Sequence, residues 1–469
     1  VPLQSFELTV RRAIFWTLSA FFLALAVWVK DGTYAPSAIV GLSLAIVLAV
    51  AGVYCPALPS RLPSTTQTLN AILIGCATAF TALWGVPRES PNAPYLFVSY
   101  WCACLFLAVL LSRLVRGPLA RWLFPLFLLA HIGLGTVTIM GAKVDEKQSG
   151  RFKFEVRNDV QIFADEAARL LTEGKNPYST RMPNVMGADL PFYWDGATDK
   201  NGRLPFGYPY MPLSAIFSIP GYLLGDIRLA NAFAIIGIAF CLAYARPSVT
   251  SQLAATVFLL FPSTLLMLIM SWTEPVALFF LAATVFCSFR APKWLFLALG
   301  CLIASKQYTL FLLPLLPLVF PDKAKWRPLL WQSLGVAALL TVPMALWDID
   351  GFYRSVVQMQ FKQPFRRDSL SYFVTVLRAG GPQLSPLLGF AALIAGLSFG
   401  ALKAPRTAAG WLTAGAVAYL GFFALNKQAF VNYYFWVFGL LITAVAVALP
   451  SHETSGEGVN GTVEPVPIR

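Results

Sequence analysis

Carboxylates are scarce in this chain and unevenly placed: of 22 Asp and Glu in 469 residues, ten fall between positions 143 and 208. They are Asp145, Glu146, Glu155, Asp159, Asp165, Glu166, Glu173, Asp189, Asp195 and Asp199. Side chains of this type move protons in reactions at neutral pH or pair with cations. Eleven of the others lie in short connections, element ends or the C-terminal tail, while Glu274 alone sits between two strongly apolar runs, in Ser271-Trp272-Thr273-Glu274-Pro275. An ionised carboxylate at the centre of a bilayer costs about 2.5–3.5 kcal/mol on insertion scales. Glu274 therefore needs a partner or a wet cavity, or else it caps a helix that starts at Pro275, a position proline favours. Both readings fit the sequence.

Asp159 opens a periodic segment. Val160, Phe163, Ala164, Ala167, Ala168 and Leu171 recur at helical spacing, with Asp165, Glu166 and Arg169 on the opposite side. Asn158-Asp159 marks the start, and Gly174 with Pro177 beyond it marks the end. The spacing predicts a short amphipathic helix lying on a membrane with its apolar face down, which would hold Asp159 where lipid meets water. A plain N-cap is the competing role for Asp159.

The elements around these acids are apolar. The composition is 57% hydrophobic and 12% charged, a balance foreign to water-soluble domains of this size. Apolar runs at 13–29, 36–54, 69–84, 94–111, 118–140, 229–245, 253–270, 329–347, 384–402, 412–425 and 430–449 each approach the length that crosses a hydrocarbon core of about 30 Å. Lipid offers the backbone no hydrogen-bond partner, so the fold class is an all-α polytopic membrane protein. Between 276 and 320 the apolar pieces are broken by Arg290, Pro292 and Lys306, and the total reads as 13–15 transmembrane helices. Three regions follow: an N-terminal four-helix transmembrane extension, 1–117; a core, 118–449, whose polar stretch 143–208 forms a large first outer loop; and a disordered polar tail, 450–469.

The net charge of +13 is spread over short connections, which argues for membrane topology and against nucleic acid. If Arg11 and Arg12 are cytoplasmic, alternation also puts Arg61, Arg113, Arg116, Arg121, Arg246, Arg290, Lys293, Lys323, Lys325, Arg327, Lys403 and Arg406 inside. Against that preference, 348–382 carries Arg354, Lys362, Arg366, Arg367 and Arg378 outside. The arrangement requires 209–245 to make one net crossing, so one of its two apolar pieces is interfacial or re-entrant. The first apolar run is long enough to span, so no cleavable secretory signal is expected. The seven cysteines lie in or beside apolar runs, which suits packing better than a disulfide framework. Cys102 and Cys104 fall on different faces of a helix with no histidine near, and His131 reads as a polar residue satisfied between helices.

The run Asp159-Val-Gln-Ile-Phe163 through Asn176-Pro177-Tyr178, followed by Phe206-Gly-Tyr208-Pro209-Tyr210-Met-Pro212, resembles the first outer loop of GT-C glycosyltransferases. The nearest likeness is to glycosyltransferase family 87, which uses polyprenyl-phosphate mannose. Trp272-Thr273-Glu274-Pro275, Ser305-Lys306-Gln307, Pro364-Phe365-Arg366-Arg367-Asp368-Ser369-Leu370-Ser371, and Asn426-Lys427-Gln428 with Asn432-Tyr433-Tyr434 are similar to later patches of that group. The resemblance covers about 118–449. It departs at Tyr208-Pro209-Tyr210, where the family often has Tyr-Pro-Pro, and in the four N-terminal spans.

The resemblance implies a GT-C-like helical bundle that moves a hexose, mannose by expectation, from a polyprenyl-phosphate carrier to an acceptor hydroxyl with inversion. It places the work on the outer face of a bacterial plasma membrane, with Asp159 as general base and Asp145 next in line. A positioned carboxylate supplies about 10²–10⁴-fold in such a step. The departing phosphate calls for cations near the interface, and Lys306, Lys427, Arg366 and Arg367 are the candidates, although lysines near helix ends also simply snorkel. Glu274, Tyr178, Tyr208, Gln307 and Asn426 are the expected cavity-lining residues. No second acidic pair offers a divalent metal an obvious seat, so the carrier-linked sugar is the co-substrate and the acceptor is a glycan, lipid or protein. Two other classes compete. A flippase for lipid-linked glycans would not need the long outer loop, and a glycan polymerase or ligase would rest on Arg366 and Arg367 more than on Asp159.

Overall fold

A computed structural model describes residues 3–55, 65–84, 124–125, 128–133, 135–136, 158–186 and 192–450. The run 94–111, most of 118–140, Asp145 with the rest of 143–157, Cys102, Cys104 and the tail from 451 lie outside the described residues. Among the described residues helices predominate, and strand pairing is limited to two isolated bridges. In chain order the longer α-helices among the described residues are α1 (Leu3–Val29), α2 (Pro36–Tyr54), α3 (Thr66–Trp84), α4 (Asp159–Thr172), α5 (Pro212–Leu223), α6 (Arg228–Ala245), α7 (Val249–Leu260), α8 (Pro262–Ile269), α9 (Glu274–Arg290), α10 (Leu295–Ser305), α11 (Lys323–Trp347), α12 (Tyr372–Arg378), α13 (Leu387–Lys403), α14 (Ala408–Ala424) and α15 (Val431–Ala448).

This is an integral membrane protein: six of the described helices are long and apolar enough to cross a bilayer, or seven if α7 and α8, bent by 55° at Phe261-Pro262, count as one span. Shorter apolar helices supply the rest of the bundle. One of them, Gln307–Leu318, is a 3-10 helix of 12 residues containing Pro314 and Pro317. At about 2.0 Å per residue it covers roughly 24 Å, a third more than an α-helix of the same length.

α14 and α15 are buried along nearly their whole length and form the centre of the bundle. Around them, α11 and α13 turn Trp331, Leu339, Leu346, Leu387, Ile394 and Leu402 outward, an exposed apolar surface suited to lipid chains. Gly396 and Gly400 bring α13 against α14 so closely that a Cβ on either would stand 2.5 Å from Ala418 or Ala414, the small-residue packing that membrane helices use. The N-terminal helices are packed into the same bundle. Ser19 of α1 donates to the Ala45 carbonyl of α2 (2.7 Å), and Phe80 of α3 meets Phe438 of α15 (6.3 Å between centroids).

The bundle has two unlike ends. One gathers Asp159, Glu274, Lys306, Arg366 and Lys427; α1 reaches it at its C-terminal end, where Thr33 bridges Ser369. The other collects Arg11 and Arg12, more than two turns inside α1, with Arg246, Arg290, Lys325 and Lys403 at or near helix ends. α5 starts and finishes at the first end, since α6 also begins there with Asn231 donating to the Trp272 carbonyl (2.9 Å). α5 is therefore the piece of 209–245 that does not cross, and its last residues, Leu223 and Leu224, are exposed.

The described part of the 143–208 loop carries its own small core: Phe163, Tyr178, Met182, Tyr193, Leu204, Phe206 and Tyr208 pack together with Val356 and Met359 from the segment after α11. Hydrogen bonds from Met182 N to Phe206 O (3.0 Å) and from Leu204 N to Met182 O (2.7 Å) hold its two halves together. The amphipathic helix exists as α4, but its apolar face does not lie on lipid. Val160, Phe163, Ala164, Ala167, Ala168 and Leu170 are buried, with Phe163, Ala164 and Ala167 in this core. The same periodicity serves lipid or protein, and here the aromatic residues downstream take the place of acyl chains.

Gly207 sets the path of Tyr208-Pro209-Tyr210. A Cβ there would stand 2.5, 2.7 and 2.8 Å from the carbonyl oxygens of Pro177, Tyr178 and Thr180, and the Gly207 amide donates to Ser355 Oγ (2.8 Å). Gly207→Ala should therefore destabilise the folded protein by about 1–3 kcal/mol, read as a lower thermal unfolding midpoint in detergent. Gly335→Ala in α11, where nothing lies within 4 Å of the added carbon, should leave the midpoint unchanged or higher. Equal midpoints for the two variants would contradict the close approach.

Candidate functional site

Asn158, not Asp159, caps α4. Asn158 Oδ1 accepts from the Val160 amide (3.1 Å), and its amide nitrogen donates to the Met270 carbonyl at the end of α8. This fixes the start of α4 on the bundle and leaves the Asp159 carboxylate free for another role. Ser271, beside that carbonyl, has φ +49, a left-handed backbone that a non-glycine residue adopts at a cost of about 1–3 kcal/mol.

Half-buried Asp159 receives the hydroxyl hydrogen of Tyr193 at Oδ2 (2.8 Å). Burial pushes its carboxyl above the usual carboxylate range; Tyr193, the Val160 amide, the Arg366 charge and its own amide pull the other way. Burial, with the Asp159 charge next to it, pushes the Tyr193 phenol up, so it stays a donor. Arg366 forms a bidentate pair with Asp368 (Nε–Oδ1 2.9 Å, Nη2–Oδ2 2.7 Å) and is sandwiched between Phe192 (4.1 Å to the ring centroid) and Phe430 (5.0 Å). Its Nη1 makes no hydrogen bond among the described residues. Trp194 takes the Lys362 ammonium over its ring at 5.5 Å. The aromatic run Phe192-Tyr193-Trp194 thus touches a cation, the carboxylate and a second cation in succession. Sequence reasoning passed over it, although three adjacent aromatics inside a polar loop were a visible signal.

A second charged cluster is centred on Glu274. The first residue of α9, it does not act as a cap; Thr273 is the cap residue and makes no side-chain capping bond. Glu274 Oε1 takes hydrogen bonds from Lys306 Nζ and from Asn432 Nδ2 (2.8 Å), and Lys306 also donates to Thr273 Oγ1 (2.8 Å). Glu274 is fully buried and Lys306 nearly so, and Glu274 Oε2 has no partner among the described residues. The Lys306 ammonium lies over the rings of Tyr210 (5.2 Å) and Tyr308 (5.5 Å). Tyr210 links the clusters: burial and the charges of both Asp159 and Glu274 push its phenol up.

The other expected site residues take supporting places. Gln307 donates to the carbonyls of Pro209 (3.0 Å) and Val356 (3.3 Å), fixing the loop above Lys306. Tyr178 and Tyr208 are buried in the loop core, with the Tyr178 hydroxyl donating to the Tyr210 carbonyl (2.8 Å) and the Tyr208 hydroxyl bonded to Ser214 Oγ (2.9 Å). Lys427 gives two hydrogen bonds to the carbonyls of Phe361 (2.9 Å) and Gln363 (2.6 Å). Asn426 Oδ1 accepts from the Lys427 amide (2.7 Å). Arg367 is exposed beside Arg366. Among the described residues no group of three or more His, Cys, Asp or Glu could hold a metal ion.

Removing one partner of a buried pair leaves the other charge without compensation. Lys306→Met should therefore destabilise the protein by about 3–5 kcal/mol, with the Lys306→Met/Glu274→Leu double variant recovering most of it. Thermal unfolding of the purified variants reads both, and a single variant as stable as the parent would refute the pairing. Compared with models of known protein families, with curated proteins and with solved structures, the chain matches none.

Proposed function

We propose that the chain is a membrane glycosyltransferase of the GT-C type, moving a hexose from a polyprenyl-phosphate carrier to an acceptor hydroxyl, with Asp159 as general base. The observation that carries this reading is the Asp159 carboxylate, held by Tyr193 and facing the charge of Arg366 at one end of a membrane bundle. A carboxyl lifted toward neutrality is a better proton acceptor than an ordinary surface aspartate. The acceptor oxygen attacks the anomeric carbon while its proton passes to Asp159. The bond from that carbon to the phosphate oxygen breaks on the opposite face, and polyprenyl phosphate leaves with the electron pair.

The growing charge on that phosphate needs donors. Lys306 is engaged with Glu274, and Lys427 with two backbone carbonyls, so Arg366, whose Nη1 has no partner among the described residues, and exposed Arg367 are the better candidates. Positive-inside placement puts the basic end of the bundle in the cytoplasm and the Asp159 end outside, which suits a bacterial plasma membrane. Mannose is the expected sugar, and the acceptor is a glycan, lipid or protein. The exposed position of Arg367 also fits a polymerase or ligase for lipid-linked glycans, in which the arginines outweigh Asp159.

Purified protein incubated with radiolabelled polyprenyl-phosphate sugars and acceptor should release free carrier phosphate from one donor. Asp159→Asn should lower that rate about 10²–10⁴-fold while donor binding persists; a fully active variant would reassign the base, and loss only in Arg366→Gln would favour the polymerase reading.

The pH profile gives an independent check. Asp159 must be ionised to act, and its carboxyl is raised, so the rate should fall as pH drops through a value above the ordinary carboxylate range of about 3.9. Tyr193→Phe removes a hydrogen bond that favours the ionised form, which raises that pKa further. The acidic limb should then move up by about one pH unit, and an unmoved limb would disconnect Tyr193 from the titrating group.

A further inference from the structure

The bundle end remote from Asp159 holds a cavity of about 550 Å³ lined by Arg12, Arg246 and Lys325, with Asp322 as the one acid. Its distance from the proposed catalytic site follows from two helices. α1 rises from Arg12 to Lys30 over 18 residues, roughly 27 Å, before Thr33 bridges Ser369. α15 runs from Val431, packed on Gly32, down to Val447, whose carbonyl accepts from Arg246 Nη1 (3.0 Å). The cavity is therefore about one hydrocarbon thickness away, at the level where the opposite leaflet's headgroups lie.

Its chemistry is that of an anion site. The three cations outnumber Asp322, one of whose carboxylate oxygens is already taken by the Ala324 amide (2.9 Å). Arg12 Nε is buried and has no hydrogen-bond partner among the described residues. A buried charged donor without an acceptor is expensive, and a phosphate oxygen is the acceptor that guanidinium geometry fits best. Arg246 is steadied over Phe289 (5.3 Å) and by the Val447 carbonyl. Trp16, Phe289, Phe320 and Val447 give the same cavity apolar wall. The volume exceeds what one inorganic phosphate fills and lies in the range of small-molecule sites, and basic pockets between helices at the cytoplasmic level suit lipid headgroups.

We propose that this cavity binds a phosphate group, carried by an anionic phospholipid of the leaflet opposite the Asp159 end, through Arg12, Arg246 and Lys325. The site is independent of the sugar-transfer reading and makes the protein sensitive to the charge of its own bilayer.

Native mass spectrometry of the purified full chain, released from micelles containing phosphatidylglycerol or phosphatidylcholine, tests it. One phosphatidylglycerol should survive detergent removal and no phosphatidylcholine should. Arg12→Gln and Lys325→Gln should each lower the retained fraction about tenfold, the effect of one charge-assisted hydrogen bond. Lys325 is exposed, so its variant decides the matter if Arg12→Gln does not fold. A parallel arm titrates inorganic phosphate against the thermal unfolding midpoint. Stabilisation by phosphate that both variants lose, without lipid retention, supports the anion site but makes its source a soluble phosphate. Equal retention of the two lipids, or variants that match the parent in both arms, would overturn the proposal.

Discussion

A carboxylate and an ammonium buried together at the end of a membrane bundle have no water to fall back on, and that constraint organises the site. Glu274 and Lys306 belong to different helical segments, and Asn432 adds the head of α15 to the same carboxylate. The charges cost less paired than apart, so the pair fixes three elements of the bundle in one arrangement. Lys306 then carries that order outward through the rings of Tyr210 and Tyr308, and Gln307, the next residue, holds the Pro209 carbonyl. The loop bearing Asp159 is seated on a polar knot inside an apolar bundle.

The two acids that the sequence singles out thus have different work. Glu274 commits one carboxylate oxygen to Lys306 and Asn432 and acts on geometry. Among the described residues Asp159 takes the Tyr193 hydroxyl and faces the charge of Arg366, the setting from which the proposed proton transfer would start. The distinction follows from location: Glu274 is fully buried among helix segments, whereas Asp159 sits at the edge of a loop core that keeps part of its surface open. The basic residues divide in the same way. Lys306 and Lys427 are spent on structure, while Arg366 is oriented by aromatic rings and Asp368 without being exhausted.

Much of the helical framework was legible because hydrophobic run length and punctuation carry it. The run 36–54 became α2 without change of bounds, and Asn158 and Gly174 flank the observed ends of α4. Alternation of the bases asks for one net crossing of 209–245, and α5, which starts and finishes at one end of the bundle, is compatible with that. What escaped was tertiary. An apolar helix face reads alike whether lipid or protein covers it, so α4 gave no sign that Phe206 and Tyr178 would cover it. Tyr193 stands 34 positions from Asp159 and meets it only once the loop folds back. The choice for Glu274 between cap and ion pair also needed three dimensions, because Lys306 lies 32 residues further along and Asn432 lies 158.

The central claim is that a polyprenyl phosphate brings its headgroup to the Asp159–Arg366 end. Photo-crosslinking measures this most directly, with purified protein and a polyprenyl phosphate carrying a diazirine in its first isoprene unit. The account predicts labelled peptides within 192–211 and 359–372, diminished by excess unlabelled carrier. Labelling confined to the ends of α1, α9 and α11 around Arg12 would contradict it.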